Sequence, residues 1–254
     1  MSGAARLTVN GAVATITLDN EAKRNSLDFD LLTQLRAAAD EVAAMPGITA
    51  VALRGAGDKA FCAGADFDAF AARATLVDGV TAMDAALAEA VAALERIPMP
   101  LVAGIGGACF GAGVQLALCA DIRLATSGSK FGVPAVQIAM HYPLPAIGRL
   151  VKLLGAGGAA HVLLSAEPFD AATALRRGLV DELVEGDLGA RLDALCAAIA
   201  THPPAASRAY KQMIRGLATP DIAAEVAGIY AAFAAGGHFI PKLEEIAARR
   251  RAKG

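Results

Sequence analysis

Two glycine-rich segments, each directly after an apolar run of strand length, constrain this chain more than any other feature. The first is DKAFCAGADF at residues 58–67, which follows the apolar run 48–53, and the second is GGACFGAGVQ at 106–115, which follows 101–105. Small residues let a backbone turn sharply and approach a ligand closely. The second segment also opens a helix, whose first amides lack intrahelical partners and carry the positive end of the dipole. One such loop is explained by a tight turn alone. Two of them in one chain can aim a pair of amide hydrogens at a single oxygen on which negative charge develops, each typically supplying a few kcal/mol.

The rest of the chain supplies the frame. Alternation over 7–9 and 13–18 predicts a hairpin turned at Gly11, and residues 28–45 predict a helix with Leu31, Leu32, Leu35, Ala38, Ala39 and Val42 on one stripe, stopped by Pro46 and Gly47. A strand at 48–53, a helix at 81–97, strands at 101–105 and 122–125 and a short helix up to Cys119 complete an α/β order of strand, loop and helix. Beyond residue 187 helices dominate, at 188–200, 205–217, 222–235 and 241–253. The expected organisation is a core of residues 1–187 and a helical region, 188–254, packed on that core or on a neighbouring subunit.

A formal charge of −2 and a pI near 6.1 give no broad footprint for nucleic acid or an anionic membrane, so an anionic ligand must be met locally. No uninterrupted apolar stretch reaches membrane-spanning length, and no membrane insertion is expected. Cys62, Cys109, Cys119 and Cys196 form no CxxC pattern, no metal-ligand spacing is seen, and the amino terminus lacks a secretory pattern, which together fit a reducing cytoplasm. With 56% hydrophobic and 19% charged residues, the composition fits either a surface covered by a subunit interface or simply well-formed Ala-rich helices.

Together the two segments resemble the paired signatures of the crotonase superfamily, the enoyl-CoA hydratase/isomerase family, in which the first reads like AFxAGAD and the second like NGxxxGGG before a helix. Arg24-Asn25-Ser26-Leu27, the run ADIRLA at 120–125 and Gly178-Leu179-Val180 resemble further elements of that family. The resemblance implies a spiral of ββα turns, trimers or dimers of trimers, and an acyl-CoA or enoyl-CoA thioester as ligand, with CoA as part of the substrate and no permanently bound cofactor. It puts the oxyanion donors at the backbone amides of Ala65 and Ala112. Ala112 stands where glycine is usual; its amide survives, but a methyl group there could demand a costly backbone angle.

The same comparison exposes a departure. Hydration of an enoyl thioester needs acid and base groups, for which the family's hydratases use two glutamates. The matching positions hold Gln115, which cannot exchange a proton at neutral pH, and Ala135 after Phe131-Gly132-Val133-Pro134. His141 and Tyr142 are the substitute candidates, His141 because histidine as a residue type is suited to proton transfer near neutral pH. Asp66 suits a cap for the following helix, and Asp68 falls where relatives carry a lysine. Position in the family suggests Arg24, Lys59, Ala63, Asp66, Phe67, Phe239 and Lys242 as CoA contacts. The leading expectation is a CoA-thioester enzyme with non-standard acid-base groups, and its rival is a non-catalytic acyl-CoA-binding protein. A serine peptidase of related fold is disfavoured, because no Ser-His-Asp set occupies the expected sites.

Overall fold

The computed structural model describes residues 2–71 and 76–216. Strands β1 (Ala4–Asn10) and β2 (Val13–Asp19) pair antiparallel as the expected hairpin. Helix α1 (Phe29–Ala44) begins where the Asp28 carboxylate accepts from the Leu31 amide, and it buries the six apolar residues of the predicted stripe.

Three units of similar design follow. The first holds β3 (Ala50–Gly55), β4 (Ala60–Cys62), α2 (Phe67–Ala71) and α3 (Leu76–Arg96). The second holds β5 (Leu101–Ile105), β6 (Ala108–Phe110) and α4 (Ala112–Ala117). The third holds β7 (Ile122–Thr126), β8 (Lys130–Gly132), a 3-10 turn over Pro134–Ile138 and α5 (Leu144–Ala160). After them come β9 (Phe169–Asp170), α6 (Ala171–Arg177), β10 (Glu182–Val184), α7 (Leu188–Ala200) and α8 (Pro204–Gly216). The longer strand of each unit joins a six-stranded sheet, β1-β2-β3-β5-β7-β10, and the shorter joins a four-stranded sheet, β4-β6-β8-β9. This is the expected spiral of ββα turns, and it corrects one expectation: the stretches read as glycine-rich loops each contain a strand. Three-residue strands of Ala, Cys and Phe between glycines are too short to display alternation.

Side chains alternate across the six-stranded sheet. Val51 and Leu53 of β3 join the main core with α1 and α3, while Ala50 and Ala52 face the other way with Val102, Leu124, Leu192 and Cys196. Helix α7 therefore covers the second face of the sheet, and α8 is tied to the core where the buried Lys211 ammonium donates to the Met99 carbonyl at 2.6 Å and pairs with Asp121 at 2.7 Å. Of the two placements open from sequence, α7 and α8 take the core. The helices expected at 222–235 and 241–253, with Phe239 and Lys242, lie outside the described residues.

Residues Leu144–Ser165 form a helical run long and apolar enough by length and composition to cross a membrane, with a mean hydropathy of 1.3, though glycines and charges interrupt it. Gly155 breaks it with φ 71° and ψ 166°, and Arg149 within it is ion-paired to Glu95. A broken backbone and a paired guanidinium fit a helix lying on a protein core better than one crossing lipid.

Candidate active site

Strand pairing brings the two glycine-rich segments together. In the short sheet β4 and β6 run parallel, Ala60 opposite Ala108 and Cys62 opposite Cys109, and the Ala108 amide donates to the Lys59 carbonyl at 3.0 Å. Past the strands the backbones stay in contact. Gly64 has φ 110°, and a Cβ built on it would lie 3.2 Å from the Phe110 carbonyl oxygen and 3.9 Å from the Ala112 nitrogen. Both the angle and the approach demand glycine.

The RNSL element orients the first amide. Leu27 donates to the Gly64 carbonyl and accepts from the Asp66 amide, each at 2.8 Å, so it grips the chain on both sides of Ala65. In a parallel bridge of this kind the Ala65 N–H points away from Leu27. Arg24 and Asn25 take positive φ, 54° and 56°, to bring the element alongside, and the Ala63 amide donates to the Arg24 carbonyl at 3.0 Å. The buried Asn25 side chain donates to the Ala56 and Ala60 carbonyls at 2.9 and 2.7 Å and accepts from the Asn20 amide at 3.0 Å. Sequence reading gave Asn25 no such part.

Ala112 is the first residue of α4, where an amide has no intrahelical acceptor. Among the described residues, neither the Ala65 nor the Ala112 N–H donates to another group. The unusual angle falls on Gly111, at φ 50° and ψ −113°, and Ala112 is not among the positive-φ residues, so the feared strain at the alanine is absent.

Gln115 is 3% exposed, and its side-chain oxygen is buried with no donor among the described residues. Ala135 sits in the 3-10 turn and packs against the core. His141 and Tyr142 part ways. The exposed His141 ring has its Nε2 3.6 Å from a carboxylate oxygen of Asp84 on α3, a partner no sequence signal marks. Tyr142 donates to the Gly111 carbonyl at 3.0 Å, and burial, aided by the Cys109 and Cys119 thiols, pushes its phenol far above the usual range. That hydroxyl keeps its proton and is occupied, which fits a structural part better than that of an acid.

Beside the first segment, Lys23 bridges Asp66 at 2.8 Å and Asp68 at 2.9 Å. Those hydrogen bonds raise the lysine pKa and hold the Asp68 carboxyl below its ordinary value. Asp66 also accepts from the Asp68 amide at 3.1 Å, the cap expected of it, so its carboxylate is committed within the chain. Lys23 is a cation that sequence reading missed, supplied from another segment beside Asp68. Arg24 and Lys59 are exposed, and neither has an ion-pair partner among the described residues; Phe67 is 62% exposed. Burial raises the Cys62 thiol to about 12 and Cys109 well above its ordinary value, which removes both as nucleophiles at neutral pH. Of two large cavities, the one of about 710 Å³ lies away from the glycine-rich segments and the one of about 650 Å³ touches their starts at Asp58, Ala60 and Gly106, and neither is lined by Ala65 or Ala112.

Comparison with known proteins points in one direction. Residues 8–238 match the family model described as enoyl-CoA hydratase/isomerase. A short-chain-enoyl-CoA hydratase of Clostridium acetobutylicum is 31% identical over 216 residues, covering 83% of this chain and 81% of its own. An enoyl-CoA hydratase/carnithine racemase structure from Magnetospirillum magneticum superposes with a TM-score of 0.91 at 32% identity, over 98% of this chain and 94% of its own. An enoyl-CoA hydratase structure from Bacillus anthracis gives a TM-score of 0.87 at 27% identity, over 98% and 96%.

Proposed function

The chain belongs to the enoyl-CoA hydratase/isomerase family, and from that premise we propose that it binds an acyl-CoA thioester and stabilises the enolate of its acyl group with the backbone amides of Ala65 and Ala112. The observation that carries this reading is that two amides without acceptors among the described residues lie on backbones held together by β4–β6 pairing and by the Gly64 contact. Donors fixed before the substrate arrives need no rearrangement as charge develops on the thioester oxygen. The exposed cations Arg24 and Lys59 flank the first segment and suit the CoA phosphates, while Lys23 is held by two carboxylates.

Proton transfer is the unusual part of the proposal. Gln115 and Ala135 supply no carboxylate, which disfavours ordinary hydration. His141 is the acid-base group we assign, because it is the imidazole nearest the missing glutamate's turn and an Asp84 carboxylate oxygen 3.6 Å from its Nε2 orients the ring. A second reading, a non-catalytic acyl-CoA-binding protein, is favoured by the same two replacements. We further propose that the protein is a homotrimer or a dimer of trimers, with the exposed Leu144 and Leu164 in the covered face.

The deciding experiment is calorimetric titration with crotonyl-CoA and a longer acyl-CoA while the enoyl absorbance is followed. Binding with turnover that His141→Gln abolishes supports the enzyme reading. Binding without turnover supports the carrier reading or an enzyme of different chemistry, and absence of binding to both thioesters overturns the proposal.

A further inference from the structure

The Ala112 N–H belongs to the same rigid peptide as the Gly111 carbonyl, and in a trans peptide the two point in opposite directions. Whatever holds the carbonyl therefore aims the amide. Two groups hold it: the Gln115 N–H at 3.2 Å, the first ordinary bond of α4, and the Tyr142 hydroxyl at 3.0 Å, which arrives from the third ββα unit. The peptide before it is pinned separately by the Gly111 N–H to the Gly132 carbonyl at 2.9 Å. Glycine at 111 is the weak point. With no Cβ, rotation of the 111–112 plane meets little steric resistance, and no atom lies within 4 Å of where a Cβ would stand.

We propose that Tyr142 is a positioning residue for the oxyanion donor: its hydroxyl, by holding the Gly111 carbonyl, keeps the Ala112 N–H turned toward the substrate oxygen. This rests on the oxyanion reading above and assigns Tyr142 no proton transfer. Removal of the hydroxyl leaves Gln115 as the one donor to that carbonyl among the described residues, through a bond formed only while the first turn of α4 is intact. A population of flipped peptides then follows, with the donor turned away and the carbonyl oxygen in its place.

The test uses butyryl-CoA labelled with ¹³C at the thioester carbonyl, a saturated ligand that cannot be hydrated. Infrared difference spectra report polarisation of the bound carbonyl, and calorimetry reports affinity on the same samples. Wild-type protein should move the carbonyl stretch to lower wavenumber. Tyr142→Phe should lose about half of that shift or more, since one of two donors is affected, with the Kd changed by less than about threefold. A full shift in Tyr142→Phe overturns the positioning inference and leaves the oxyanion reading standing. Binding without any shift in the wild type overturns the oxyanion reading and this inference with it. If Tyr142→Phe fails to fold, 3-fluorotyrosine inserted at position 142 keeps the ring and strengthens the donor: a shift at least as large as wild type is expected, and a smaller one overturns the inference.

Discussion

The side-chain amide of Asn25 donates to the Ala60 carbonyl across 2.7 Å, joining the RNSL element to the first residue of β4, five positions before the first oxyanion candidate. Asn25→Ala would remove this bond, its companion to Ala56 and the acceptor of the Asn20 amide, leaving buried polar groups unpaired. It would also place alanine at φ 56°, where asparagine is tolerated better. A loss of about 2–4 kcal/mol is expected, read as a lower urea midpoint with an unchanged slope.

Gly111→Ala tests backbone angle apart from space. No atom would meet the new methyl, so the whole penalty comes from φ 50° and ψ −113°. Destabilisation of about 1–3 kcal/mol is expected if the peptide stays as it is. A smaller loss accompanied by weaker carbonyl polarisation in bound butyryl-CoA would mean that the peptide has rotated to relieve the strain.

Stability should fall on the alkaline side. Burial raises the Cys62, Cys119 and Cys196 thiols from 9.0 to about 12. Between those limits the folded state holds protons that the unfolded state releases, so the contribution of these thiols is complete below pH 9 and declines as pH rises through the window. The urea midpoint should therefore be lower at pH 10 than at pH 8, and Cys196→Ala should flatten the difference. Native protein at pH 8 should resist iodoacetamide, with alkylation appearing on denaturation.

Restoring carboxylates should restore hydration. In the double variant Gln115→Glu with Ala135→Glu, the first group would enter a buried position that raises its pKa, a condition suited to an acid. Each positioned group contributes roughly 10²–10⁴-fold in such reactions, so loss of enoyl absorbance from crotonyl-CoA should exceed the parent rate by at least about 100-fold. No gain, with binding intact, would mean that the acyl chain does not lie between these positions.

Leu144 and Leu164 stand 81% and 74% exposed. Burial of a leucine typically supplies about 1.5–3 kcal/mol, so Leu144→Asp should weaken self-association by about tenfold or more, seen by light scattering as a fall in mass on dilution. An unchanged mass would remove this part of α5 from the interface.

The long periodic elements were legible in the sequence because burial on one face writes itself into spacing: the stripe from Leu31 to Val42 emerges in α1 as read. The strands that assemble the site were not. Ala60–Cys62 and Ala108–Phe110 are three residues each, below the length at which alternation can be told from composition. Helix α3 already includes Leu76, ahead of the predicted Thr81, and no distinct start signal stands between them in the sequence. Of the site, the two glycine-rich segments were visible because positive φ and close approach select residue type. Pairings such as Lys23 with Asp68, and Asp84 with His141, join positions 45 and 57 residues apart and leave no local mark.

The β4–β6 pairing divides heritable risk unevenly. In the proposed function what it presents to a thioester is main chain, and a point mutation that changes a side chain at Ala65 or Ala112 leaves the N–H in place. The side chain at 115 hangs from the second unit of the spiral and those at 135 and 141 from the third, and none of them closes the strand pair. On the proposed reading, substitutions at 115, 135 and 141 can accumulate one at a time without disturbing the paired backbones that carry the Ala65 and Ala112 amides.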